Sequence, residues 1–208
     1  MTAERQAVIF DMDGTLLRPM LDFDAIKREI GIDGLILETI QTMPAAERAR
    51  AEAVLHRHEA EAAARSELQP GAAEVVAALR RRGLPLALMT RNSRRSVEVF
   101  QQRHGLSFDL VWTRESGAMK PSPEPVWAIC RALGVPPAAT WTVGDFHFDI
   151  LCGAAAGAVT VLLLDRDAER PAWADEADHV IHHLGELLEL IPSGTPPRHR
   201  PGKASDPC

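Results

Sequence analysis

The sequence predicts an α/β fold: a parallel sheet between two layers of helices, with a small all-helical segment inserted after the first strand. Three observations predict it. Short continuous apolar runs alternate with amphipathic helical patterns along most of the chain, the pattern of right-handed strand–helix–strand crossovers. Polar residues gather directly after those runs. The stretch from Leu17 to Gln69 breaks the rhythm and carries no strand signal.

The first apolar run, Val8 to Phe10, reads as a buried strand. Four more follow: Leu84–Thr90, Asp109–Trp112, Thr140–Asp145 and Ala158–Leu164, with His179–Ile181 as a sixth at an edge. Between them, Val75, Val76 and Leu79 share a helix face that Gly83 stops. Ser93 caps a helix bearing Val97, Phe100 and His104 and closed by Gly105. Ser122 followed by Pro123 reads as a cap and first turn for a helix carrying Val126, Ile129, Cys130 and Leu133 and ending at Gly134. A further helix spans about Phe148 to Ala156 and ends at Gly157.

Within the insertion, Asp22–Ile32 forms a short amphipathic helix, and "PAAERARAEAVLHRHEAEAAARSEL" a long one whose charges form a solvated face. The expected division is a core of residues 1–16 and 70–191, a helical insertion of residues 17–69, and a Pro-rich, disordered tail of residues 192–208.

Bulk properties bound the function. A chain of 208 residues, 46% apolar and 25% charged, can bury a core. A net charge of −6 argues against wholesale binding to nucleic acid, and no apolar stretch is long enough to span a bilayer. Cys130, Cys152 and Cys208 lack metal-ligand spacing and read as reduced thiols. With charges where a signal peptide needs apolar residues, a cytoplasmic protein is expected. Tyrosine is absent, so no phenol serves in acid–base chemistry. Oligomeric state is not legible.

The segment "VIFDMDGTL" ends a buried strand with two carboxylates, Asp11 and Asp13. They repel and each loses hydration, so an offsetting cation or a separate chemical task is required. In an open parallel sheet, ligands bind at the carboxyl ends of the strands. Thr90, Arg91 and Asn92 follow the second strand, Lys120 the third, and Asp145 and Asp149 the fourth, so all fall on the rim that holds Asp11 and Asp13.

"FDMDGTL", "LALMTRNS", "KPSPEP" and "VGDFHFDI" resemble, in order and spacing, the four motifs of the haloacid dehalogenase-like hydrolase superfamily, over roughly Gln6 to Leu190. The resemblance implies a Rossmann-like core with a short helical cap, close to the phosphoglycolate phosphatase branch. It implies that Asp11 is a nucleophile forming an aspartyl-phosphate. It also implies Mg²⁺ held by the Asp11 and Asp145 side chains and the Asp13 main-chain carbonyl, with Asp149 near it. Asp13 would move protons to and from the leaving oxygen and water. Thr90 and Lys120 would hold the transferring phosphoryl group, aided by the Gly14 main chain, Asn92 and Arg91. Arg91 and Arg18 are the candidates for a further basic group near the phosphate.

The implied activity is Mg²⁺-dependent hydrolysis of a small phosphorylated metabolite, phosphoglycolate-like or a sugar phosphate. The alternatives are a phosphoglucomutase-like phosphotransferase and a binding module without turnover. A dehalogenase fits poorly because Asp13 is present, and a phosphonate hydrolase would need Lys27, the only lysine of the insertion, aimed at the site. Some residues have bland readings. Asn92 is a helix cap or a phosphoryl support, and Asp149 a first-turn residue or a metal neighbour. His147 is incidental, His182 and His183 lie in a loop, and Cys130 and Cys152 pack in the core.

Overall fold

A computed structural model describes residues 6–191. Six strands form one sheet: β1 (Ala7–Phe10), β2 (Leu86–Met89), β3 (Leu110–Trp112), β4 (Thr140–Gly144), β5 (Val159–Leu163) and β6 (His179–Ile181). Every pairing is parallel, and the spatial order is β3-β2-β1-β4-β5-β6. Each run read as a strand is one: β1 starts one residue earlier than read, and the other ends are unchanged or trimmed by one or two residues. The chain winds outward from β1 in both directions. The switch point therefore lies between β1 and β4, where a doubly wound sheet opens a crevice at its strand ends.

Both faces are covered. Helices α4 (Ala72–Arg81) and α5 (Arg94–His104) share a cluster with Val8, Phe10, Leu86 and Leu88. Helices α6 (Glu124–Leu133) and α7 (His147–Ala156) contribute to a cluster with Ile9, Ala87 and Met89. Alternate strand residues thus feed opposite layers, as the period of two requires. The short α8 (Leu187–Leu190) and the turn before it close the first layer through Leu184 and Leu187.

Helix ends follow the expected chemistry, with one shift. The Ser93 hydroxyl accepts from the Ser96 amide at 3.3 Å and caps α5. Ser122 does not cap α6. Its hydroxyl accepts from the Glu124 amide, two residues on, and Pro123 takes the cap position with helical backbone.

The insertion holds three helices, not two: α1 (Phe23–Ile30), α2 (Ile36–Thr42) and α3 (Ala45–Arg65). The missed α2 is seven residues long, has no side-chain cap and buries only Ile36 and Ile40, so neither a cap nor a sustained period announces it. These two pack with Ile26, Ala51 and Leu55 in an apolar cluster separate from those of the sheet. The entering and leaving segments are zipped together: the Arg18 amide donates to the Glu67 carbonyl and the Gln69 amide to that of Leu16, both at 2.9 Å. Arg103 of α5 donates from Nε to the Ser66 carbonyl at 3.0 Å, tying the end of α3 to the core.

Among the described residues, no helix is long and apolar enough to cross a membrane. The expected tail and Cys208 lie outside the described residues.

Phe100 tests this packing. It is fully buried and stacks on Phe108 at 6.3 Å between ring centroids. Phe100→Ala is expected to lower the unfolding free energy by about 3–5 kcal/mol in denaturant titration; a loss below about 1 kcal/mol would contradict the assigned core.

Candidate active site

The strand ends deliver the acids. Asp11 follows β1, and its amide donates to the Val143 carbonyl at 2.9 Å, extending the β1–β4 ladder by one bond. Asp145 follows β4, and Asp149 is the third residue of α7. One carboxylate oxygen from each of Asp11, Asp145 and Asp149 lies within 4.8 Å of the others. Close approach needs missing side chains. Gly14 has φ +80°, and a Cβ there would collide with the Asp145 carboxylate; a Cβ at Gly144 would collide with that of Asp149.

Lys120, in the loop after β3, is the counter-charge. Its buried ammonium donates to Asp11 and, at 2.6 Å, to Asp149 Oδ1. The second oxygen of Asp149 accepts from the Phe146 amide at 3.2 Å. Asp149 is thus both a first-turn cap and a member of the acid cluster. Thr15 donates from its hydroxyl to Asp145 at 3.1 Å.

Asp13 stands apart from the three acids. Its carboxylate accepts from the Asn92 side-chain amide, and Ser93 rather than Asn92 caps the helix. The Asn92 main-chain amide donates to the Thr90 hydroxyl at 3.1 Å. Arg91 lines the same cavity but is already engaged. It pairs with Glu38 of α2, donates to the Lys120 carbonyl at 3.2 Å and lies 4.9 Å from the centre of the Phe148 ring.

The electrostatics follow from burial. Desolvation pushes Asp11 well above the usual carboxylate range; Lys120 pulls it back while Asp149 and Asp145 add to the rise. Burial, then Asp149, raises Asp145 to about 7, against hydrogen bonding from Thr15. Burial raises Asp13 to about 6, partly countered by Asn92. Burial works against the Lys120 charge, but Asp11 and Asp149 outweigh it and hold the ammonium above its ordinary value. Three hard oxygen donors with one ammonium between them are left short of positive charge, and that donor set suits a divalent cation.

Other residues weighed in the sequence lie outside the acid cluster. Arg18 is exposed, sits 3.8 Å from Glu67 and is not among the residues that line the cavity. The His147 ring pairs with Glu176 at 2.9 Å and stacks on Trp173, outside the cluster. His182 reaches the Leu164 carbonyl and His183 accepts from the Gly185 amide, so the two do not share an ion. Cys130 and Cys152 are buried. Lys27 does line the cavity.

Thr15, Gln69, Glu59 and Arg114 also take part, and of these Thr15 alone lies in a motif, "FDMDGTL". Gln69 donates to the Gly14 carbonyl at 3.0 Å where the insertion joins the rest of the chain. Glu59, in the long helix read as solvated, is 4% exposed and pairs with Arg114 of the loop after β3. Nothing in its run of charged and alanine residues separates it from exposed neighbours.

The Lys120 contact yields a stability prediction. In metal-free protein, Lys120→Met leaves Asp11 and Asp149 buried without their counter-charge, and a loss of about 3–5 kcal/mol is expected. Asp11, which burial already pushes up, then binds its proton more tightly folded than unfolded, so stability is regained as pH falls through its folded pKa. Denaturant titration should therefore show a larger loss at about pH 8 than at about pH 5; a loss independent of pH would contradict the pairing.

A family model described as haloacid dehalogenase-like hydrolase matches residues 6–157. A phosphoglycolate phosphatase of Cupriavidus necator is 33% identical, over 94% of this chain and 95% of that protein. An N-acetylmuramic acid 6-phosphate phosphatase of Pseudomonas putida is 32% identical, over 90% and 96%. Among solved structures, a hydrolase from Pseudomonas syringae superposes with a TM-score of 0.75 at 19% identity, over 89% of this chain and 97% of that one, a likeness of fold. The family match begins at the first strand and ends with the helix that carries Asp149, and the chain belongs to the haloacid dehalogenase-like hydrolase family.

Proposed function

We propose that the chain is a Mg²⁺-dependent phosphatase that hydrolyses a small phosphomonoester through a phosphorylated Asp11. One observation carries the reading: three carboxylates within 4.8 Å of one another, at a rim where an ammonium, a hydroxyl and a separate aspartate converge. The names of the relatives from C. necator and P. putida support the reaction class, and make phosphoglycolate and sugar phosphates the first substrates to assay.

Phosphate monoesters resist water so strongly that enzymes reach accelerations of up to ~10²¹-fold on them. Mg²⁺, held by Asp11, Asp145 and the Asp13 main-chain carbonyl with Asp149 beside it, would neutralise charge between a carboxylate and a phosphate dianion. The chain's own residues do the rest. Lys120 holds one Asp11 oxygen and orients the carboxylate. The other oxygen attacks phosphorus, forming an Asp11 O–P bond as the bond to the leaving oxygen breaks. Asp13, aimed by Asn92, gives that oxygen its proton and the alcohol departs.

Asp13 then takes a proton from water, which attacks the same phosphorus and releases inorganic phosphate, restoring Asp11. Ester and water become alcohol and phosphate. Thr90 can donate its hydroxyl proton to a phosphoryl oxygen, because that hydroxyl already accepts from the Asn92 amide.

Asp11→Asn is expected to reduce phosphate release from a generic phosphomonoester by more than about a thousandfold while circular dichroism stays native. Turnover near the wild-type rate would falsify the nucleophile assignment. EDTA is expected to suppress activity and Mg²⁺ to restore it; turnover indifferent to chelation would overturn the metal requirement.

A further inference from the structure

Among the described residues, five large apolar side chains are exposed, and four of them, Met20, Phe23, Leu35 and Phe146, line the cavity that opens on Asp11 and Asp13. Scattered exposed apolar residues need no explanation, but a gathered set rimming a polar floor does. The set comes from two places. Phe23 belongs to α1 and Leu35 directly precedes α2, while Phe146 follows β4 and meets Phe148 edge to face at 5.1 Å.

The cavity has a volume of about 380 Å³, within the ~300–1,000 Å³ range of pockets that enclose small ligands. A phosphoryl group accounts only for its polar floor. Much of the remaining wall charge is internally paired, Glu59 with Arg114 and Arg91 with Glu38. A compact polar leaving group such as glycolate would leave the apolar wall facing water.

We infer that the substrate is the phosphate monoester of an alcohol with an apolar body, a ring or a chain of several carbons. That body lies against Phe23 and Leu35 on the insertion side and Phe146 on the core side. The inference rests on the phosphatase reading and narrows it. Desolvating the apolar body on entry favours binding in proportion to the area buried, and places the ester oxygen at the carboxylates below.

The test compares kcat/KM for ethyl, n-hexyl and 2-phenylethyl phosphates and for phosphoglycolate, with Mg²⁺ present. The three alkyl esters share the leaving-oxygen chemistry and differ in the bulk of the apolar group. The hexyl and phenylethyl esters are expected to exceed both ethyl phosphate and phosphoglycolate by about tenfold or more. Phe23→Ala and Leu35→Ala are expected to lower the hexyl-to-ethyl ratio severalfold; both positions are exposed, so folding is not at stake. Trp127→Ala, exposed away from the cavity, is expected to leave the ratio unchanged.

A smaller preference for the bulky esters, or a ratio untouched by Phe23→Ala and Leu35→Ala, overturns the inference and leaves the phosphatase reading standing. Self-association abolished by those variants with the ratio unchanged also overturns it, and assigns the patch to a second copy of the chain. Hydrolysis of none of the esters overturns both readings.

Discussion

The Lys120 ammonium, shared between Asp11 and Asp149, is the interaction on which the site depends. A parallel sheet with its switch point between β1 and β4 forces the acids that follow those strands together. Burial then removes the water that would screen them. A single ammonium on the loop after the edge strand β3 offsets part of that repulsion, while burial, with Asp149 beside it, holds Asp145 near 7. Glycine at 14 and 144 makes the approach sterically possible. The acids are therefore gathered by topology, admitted by missing side chains and held by one counter-charge.

Function divides along the same lines. The core supplies a polar floor whose groups come from β1, β2, the loop after β3, and β4 with α7. The insertion supplies a mostly apolar wall and reaches the core through a few polar ties: Glu59 to Arg114, Glu38 to Arg91, and Ser66 to Arg103. Under the proposed reaction, the floor would meet the phosphoryl group and the wall the departing alcohol. Such a division lets one reaction serve different leaving groups through changes in the wall alone.

Legibility in the sequence followed physical range. The strands were readable because each is a short apolar run buried on both faces, and the rim acids because strand ends carry ligands in this class of sheet. Helix ends were readable where a local hydrogen bond sets them, as at Ser93, and shifted by a residue where Ser122 made a tighter turn. What escaped depends on contacts distant in sequence. Glu59 is buried only because Arg114, 55 residues on, comes to meet it. Arg91 pairs with Glu38 and lies over the Phe148 ring, and Arg18 sits beside Glu67 and is not among the cavity-lining residues. Helix α2 was hidden for a different reason: seven residues hold too few turns to show a period.

The claim that Asp11 is the phosphorylated atom-bearing residue, with a cation held among its acidic neighbours, is open to one direct measurement. It is a crystal structure of the full chain grown with Mg²⁺ and beryllium fluoride, which mimics a bound phosphoryl group. The account requires fluoroberyllate bonded to an Asp11 carboxylate oxygen, Lys120 and Thr90 on its fluorines, and the ion ligated by Asp11 and Asp145. Fluoroberyllate on another residue, or an ion bound away from that pair, would contradict it.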